Sequence, residues 1–167
     1  QDANEWKSFS VLDKLTNVEL LIQEVIIGKE SNIKVLGTVA NAGKKQACWV
    51  GIKHRQYPYG FGSASLVIET QDKELEGITD ALLEITKYSG FFALETKYCD
   101  KRKKTYIIEV NTRPGLWFGA TTTAGCNFII KWVNDLKEEK ESIRLPIMPQ
   151  LQKNVVWRYY YKDLFVK

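Results

Sequence analysis

The sequence predicts an α+β fold: a largely antiparallel sheet covered by helices. Three observations carry this. Short runs rich in branched and aromatic residues recur between turn residues, which is the signature of strands. Three stretches place apolar residues at helical spacing, one ahead of the strand runs, one between them and one after them. Two tight turn signals, Asn41-Ala42-Gly43 and the segment CDKRKK at 99–104, join neighbouring runs closely enough to force hairpins. The element order is α, a β-rich middle, α, a β-hairpin and α, as in folds that segregate helices to the faces of an antiparallel sheet.

Each element has its own cause. Residues 4–16 place Trp6, Phe9, Leu12 and Leu15 at helical spacing, so a short helix is expected. Residues 18–27 are rich in branched apolar residues and stop at Gly28, which predicts a strand. Residues 32–40 and 46–53 form the first hairpin. The stretch HRQYPYGFGSAS follows as an aromatic-rich loop containing Pro58, Gly60 and Gly62, and residues 65–70 resume a strand. Residues 73–88 predict a helix with Leu75, Ile78, Leu82 and Ile85 on one stripe, ended by Ser89-Gly90. Residues 91–98 and 105–110 are the strands of the second hairpin. Residues 127–139 predict a helix with Ile129, Trp132, Val133 and Leu136 on one face. A loop around Pro146 and Pro149 precedes a strand at 155–161.

Composition sets limits on function. The chain has 167 residues, 44% hydrophobic and 26% charged, which is one ordinary globular domain. No apolar run reaches the roughly 18 residues of a membrane helix, and the opening segment QDANEWKSFSVLDKL lacks the pattern of a secretory signal. Cys48, Cys99 and Cys126 are odd in number and widely spaced, with no CxxC pair and one histidine, His54. Reduced thiols and a cytoplasmic location are therefore expected rather than a zinc site or a disulfide framework. The net charge of +4 and the run Lys101-Arg102-Lys103-Lys104 read as solvated turns; a nucleic-acid surface would need a broader basic stripe with aromatics.

The segment 91–125, FFALETKYCDKRKKTYIIEVNTRPGLWFGATTTAG, carries the most chemistry. Glu109 and Asn111 are two apart on one predicted strand and so share a face, and the short turn brings Glu95 alongside Glu109. Two carboxylates pressed together among Leu94, Ile107, Ile108 and Val110 repel unless neutralised. A hard divalent cation with oxygen ligands does this, and carboxylates with an amide oxygen suit Mg²⁺ bridging phosphates. Arg113 follows and carries a fork suited to phosphate or carboxylate. On spacing alone, ordinary charges on an exposed edge strand are an equal alternative.

The string 109–115, EVNTRPG, resembles the signature that closes the nucleotide site of ATP-grasp enzymes. The preceding GFFALETK resembles the family strand that bears the first metal-binding acidic residue. Residues 21–30, LIQEVIIGKE, resemble the family hinge, and AGCN at 124–127 resembles the usual continuation before a helix. The matches span roughly residues 20–136. The HRQYPYGFG loop is similar to a branch related to carbamoyl-phosphate synthase and D-aspartate ligase.

This resemblance implies the C-terminal part of an ATP-grasp domain at 1–145, hinge strand at 20–27, with 146–167 as a tail or the start of a following segment. It implies ATP and Mg²⁺ (or Mn²⁺) as cofactors. Gln23, Glu24 and Ile26 would line the adenine and Glu30 would take the ribose. Glu95, Glu109 and Asn111 would hold metal. Arg113 would contact phosphate or the acyl intermediate; Lys97 would act similarly or form a salt bridge. Lys53 and Arg55 would reach the γ-phosphate or stay on the surface. The implied reaction phosphorylates a small-molecule carboxylate, and an amine attacks the acylphosphate. The family's lysine-bearing subdomain ahead of the hinge does not fit into the residues before it. A partial enzyme, inactive alone and partnered by its missing N-terminal part, is the expectation. The alternative is a non-catalytic nucleotide-binding or assembly module.

Overall fold

The computed structural model describes Glu19, residues 21–137 and residues 154–166. The helix expected at 4–16 and the loop around Pro146 and Pro149 lie outside the described residues. Among the described residues six strands form one sheet: β1 (Ile33–Asn41), β2 (Lys44–Tyr57), β3 (Ser63–Thr70), β4 (Gly90–Cys99), β5 (Lys104–Asn111) and β6 (Val156–Arg158). Their order across the sheet is β5-β4-β1-β2-β3-β6 and every neighbouring pair is antiparallel. The described residues add four α-helices: α1 (Lys73–Thr86), α2 (Phe118–Thr123), α3 (Phe128–Leu136) and α4 (Tyr160–Asp163). The α+β class read from the sequence is the class observed.

β1 is central, which explains its continuous apolar run: it is buried on both faces from Val35 to Ala40. Leu36 and Ala40 face α1 and pack with Val50, Phe92, Leu94, Leu75 and Leu83. Val35 and Val39 face the other way, with Trp49, Val67, Trp117, Phe118 and Phe128. The Trp49 and Trp117 rings stack at 5.4 Å between centroids. Trp117 lies so close to the sheet that a Cβ at Gly37 would come within 2.8 Å of its ring. Burying side chains of this size at about 1.5–3 kcal/mol each makes the two layers the main source of stability.

Both hairpins fall where the turn residues put them, at Ala42-Gly43 and at 100–103. α1 starts on Asp72, whose side chain accepts a hydrogen bond from Leu75 N at 3.0 Å, a standard N-cap. It stops earlier than its pattern suggested, with Lys87 in the left-handed region (φ 50°). All three cysteines are free thiols, and burial pushes the Cys48 thiol up to about 11. Among the described residues no helix is long and apolar enough to cross a membrane.

Several expectations need correction. Residues 21–27 belong to no strand, and Leu21, Ile22, Val25 and Ile27 are exposed. Branched apolar residues favour a strand only where a neighbour completes the ladder, and no described strand pairs with this segment. The expected loop HRQYPYGFGSAS shrinks to 58–62, because His54 to Tyr57 extend β2 and Ser63 starts β3. α1 buries Leu75, Thr79 and Leu83, while Ile85 is 80% exposed. In α3, Phe128 is the buried residue and Ile129 and Leu136 are exposed. Leu75, Ile78 and Leu82 of the expected α1 stripe and Trp132 of the expected α3 stripe do pack on the core, joined by Leu83 and Phe128. The tail strand is only β6, followed by α4.

Candidate functional site

A cavity of about 540 Å³ opens at one end of the sheet, on the face opposite α1. Its walls come from four places. The segment 23–28 forms one side and the loop 59–62 another; Glu30 and Ile33 lie at the start of β1. The floor is the sheet itself: Lys53 and Gln56 from β2, Glu95 and Lys97 from β4, Ile108 and Glu109 from β5.

The floor follows from strand register. Glu95 stands directly opposite Glu109, so both carboxylates share a face. Val35 of β1 stands on the other side of Glu95. Asn111 is opposite Ala93, two residues further along, on the same face but not among the residues lining the cavity. Lys53 is 5% exposed, and its Nζ donates to Glu95 Oε1 at 2.9 Å. A lysine therefore neutralises one of the two facing carboxylates. Among the described residues no group of three or more His, Cys, Asp and Glu is placed to hold a metal ion. The oxygen donors of Glu95 and Glu109 suit a hard cation whose remaining ligands are phosphate oxygens.

β2 owes its cavity-facing residues to an irregularity. In a regular strand Lys53 and Arg55 would point the same way. The pairing of β2 with β3 slips between Lys53 and Arg55 and again between Arg55 and Gln56. Such a bulge re-aims the side chains that follow it. Lys53 and Gln56 line the cavity, whereas Arg55 Nη2 bonds Asp163 Oδ2 of α4 at 2.6 Å. The Asp163 side chain is fully buried; it also takes Arg158 Nε and, at 3.2 Å, the Ser65 hydroxyl.

The rim is tied in two places. Gly60 N donates to Glu30 Oε1 at 2.9 Å, which joins the loop to the short 3-10 turn Glu30–Asn32. The loop folds back so tightly that a Cβ at Gly62 would come within 2.0 Å of the Tyr57 carbonyl carbon. Glu24 accepts a bidentate pair of hydrogen bonds from Arg102 of the second hairpin turn, and Arg102 sits over the Tyr106 ring. That hydrogen bond to Arg102 holds the Glu24 carboxyl below the usual carboxylate range and raises Arg102 above its own.

Of the residues singled out from sequence, Gln23, Glu24, Ile26, Glu30, Lys53, Glu95, Lys97 and Glu109 meet in this cavity. Asn111, Arg55 and Arg113 do not line it. Arg55, turned toward α4 by the shift in pairing, forms a part-buried ion pair with Asp163. Arg113 is exposed beyond the end of β5. The sequence reading missed Gln56, Ile33 and Ile108; for Gln56 no pattern signal existed, because the bulge breaks the alternation that would reveal it.

No protein-family model and no curated protein matches the chain. Solved structures similar to it include an L-amino acid ligase from Bacillus licheniformis, 20% identical over 73% of this chain and 32% of that one, with a TM-score of 0.49. A Rhizobium etli pyruvate carboxylase with the activator acetyl coenzyme A is 15% identical over 71% of this chain and 12% of that one, with a TM-score of 0.48. The chain thus spans about a third or less of the length of either.

Proposed function

We propose that this chain forms part of the Mg-ATP site of a carboxylate–amine ligase of the ATP-grasp type, working through an acylphosphate. One observation supports the reading best. The hinge-like segment and the two acidic strand positions were picked out separately, by resemblance to different motifs, and they line one cavity. Its volume, about 540 Å³, is in the range of small-molecule sites.

On this reading the segment 23–28 holds adenine; among the described residues no strand ladder takes up its backbone groups. Lys53 and Lys97 supply positive charge for phosphates at the sheet floor. Glu95 and Glu109 would hold a divalent cation, which neutralises phosphate charge when bound. Lys53, paired with Glu95 at 2.9 Å, would balance carboxylate and phosphate charge beside such a cation. The protein then contributes position and electrostatics rather than a nucleophile.

A second reading, a nucleotide-binding module without catalysis, is favoured by the positions of Arg55 and Arg113 outside the cavity. Calorimetric titration of the 167-residue chain with ATP, with and without Mg²⁺, tests the shared premise. Binding strengthened by Mg²⁺ and weakened about tenfold in Glu109→Gln, roughly 1.4 kcal/mol, is expected. Binding that ignores both Mg²⁺ and Glu109→Gln removes the metal assignment. Formation of ADP only in the presence of a carboxylate separates the ligase from the module.

A further inference from the structure

The cavity wall at 23–28 lacks the support that the floor has. Among the described residues no backbone hydrogen bond joins residues 21–28 to a strand. Leu21, Ile22, Val25 and Ile27 are exposed rather than packed. An extended segment with neither a ladder nor a buried face opens at little cost. Its position against the floor therefore depends on side-chain contacts.

Those contacts converge on the turn of the second hairpin. Arg102, between β4 and β5, donates from both Nη atoms to the Glu24 carboxylate, Nη1 to Oε2 at 3.0 Å. Tyr106 orients the fork: the Arg102 guanidinium carbon lies 5.7 Å from its ring centroid, and Nη1 is 3.4 Å from its hydroxyl. Further along, Asn32 Nδ2 donates to Asp100 Oδ2 at 2.7 Å and to Tyr98 O at 3.0 Å. Gly28 packs so close to this hairpin that a Cβ there would come within 3.0 Å of Tyr98 O. The strands of the same hairpin carry Glu95 and Glu109. One element thus holds the acidic pair on its strands and the cavity wall on its turn. Glu24 lines the cavity and Arg102 does not, so Arg102 reaches the site through Glu24.

We infer that Arg102 is a positioning residue: its forked bond to Glu24 fixes the segment 23–28 against the acidic floor and so sets the affinity of the cavity. The inference rests on the nucleotide reading of that cavity. It makes the basic turn at 100–103 a working part of the site instead of a solvated loop. A wall already in place spends less of the binding energy on ordering. The pair is exposed, so it contributes little to the stability of the whole fold. Its effect is concentrated on a segment that has few other contacts.

A double-mutant cycle with the 167-residue chain tests it. Mg-ATP is titrated into wild type, Arg102→Met, Glu24→Gln and the double variant. Arg102→Met is expected to weaken binding about two- to fivefold, the effect of one exposed ion pair. In the Glu24→Gln background it is expected to cause no further loss. Lys101→Met removes the same charge from the same turn and is expected to bind as wild type does. Hydrogen exchange of the nucleotide-free chain is the second readout. Amides of 23–28 are expected to exchange faster in Arg102→Met by a similar factor, while those of β1 and the chemical denaturation midpoint stay as in wild type. A loss in Arg102→Met that is equally large without Glu24 overturns the inference, because the guanidinium then acts on the nucleotide itself. An equal loss in Lys101→Met overturns it in favour of general charge attraction. Unchanged exchange at 23–28 also overturns it, as does a lowered midpoint, which makes the pair an ordinary part of the fold. Unchanged affinity in Arg102→Met sinks this inference alone. Wild type that binds no Mg-ATP removes the nucleotide reading, and the positioning role falls with it.

Discussion

Lys53 and Arg55 stand two residues apart on one strand, both cationic, and end in opposite surroundings. Lys53 turns into the cavity and bonds Glu95, itself partly exposed. Arg55 turns toward the chain's C-terminal segment and bonds Asp163, a carboxylate with no exposed surface. The pairing slip between them decides this. The difference teaches that a charge beside an open cavity and a charge beside a buried partner are read out by different experiments. The first governs what binds; the second governs whether α4 and β6 stay docked on β2 and β3.

The largest effect is expected at Arg55. Arg55→Ala leaves Asp163 buried with Arg158 and Ser65 still attached, so the loss should reach about 2–3 kcal/mol, short of the ~3–5 kcal/mol of a fully broken buried pair. Chemical denaturation measures it; an unchanged midpoint would place Arg55 on the functional side of the comparison. Lys53→Met should do the reverse. Nucleotide affinity should drop about tenfold, ~1.4 kcal/mol, while stability shifts less than in Arg55→Ala, because Glu95 keeps access to water. A large fall in melting temperature with intact binding would make Lys53 a structural lysine.

The smallest effect is expected at Asp72, an ion pair with half-exposed Lys34 that serves neither role. Burial pushes the Asp72 carboxyl up, but hydrogen bonds from Lys34 and Leu75 N outweigh it and hold the group below its ordinary value. A depressed folded value means the contribution exists above the unfolded value of about 3.9 and is lost as pH falls through the folded one. Asp72→Asn keeps a helix cap and loses the charge. It should cost about 0.2–1 kcal/mol near neutral pH, and the gap from wild type should close below about pH 4. A gap that persists in acid would assign the loss to capping.

The hairpins, the central strands and the facing of Glu95 and Glu109 could be read from residue order. They depend on local turn chemistry and on the two-residue period of a strand, which any window of sequence displays. The helices at 73–86 and 128–136 were legible as helices. Their buried faces were legible only in part, since Leu83 and Phe128 are chosen by the sheet they cover. The segment 21–27 misled for a related reason: its composition is that of a strand, yet strand formation is a relation between two segments.

By itself, then, the sequence determined the α+β class, the two hairpins and the acidic pair, all set by interactions between residues near in order. The tertiary structure alone decided that Lys53 neutralises Glu95, that Arg55 belongs to Asp163 of α4, and that Gln56 lines the cavity. These depend on two shifts in strand register and on partners about 40 to 110 residues away in the chain. A bulge is a compromise between two strands and leaves no periodic trace in either one.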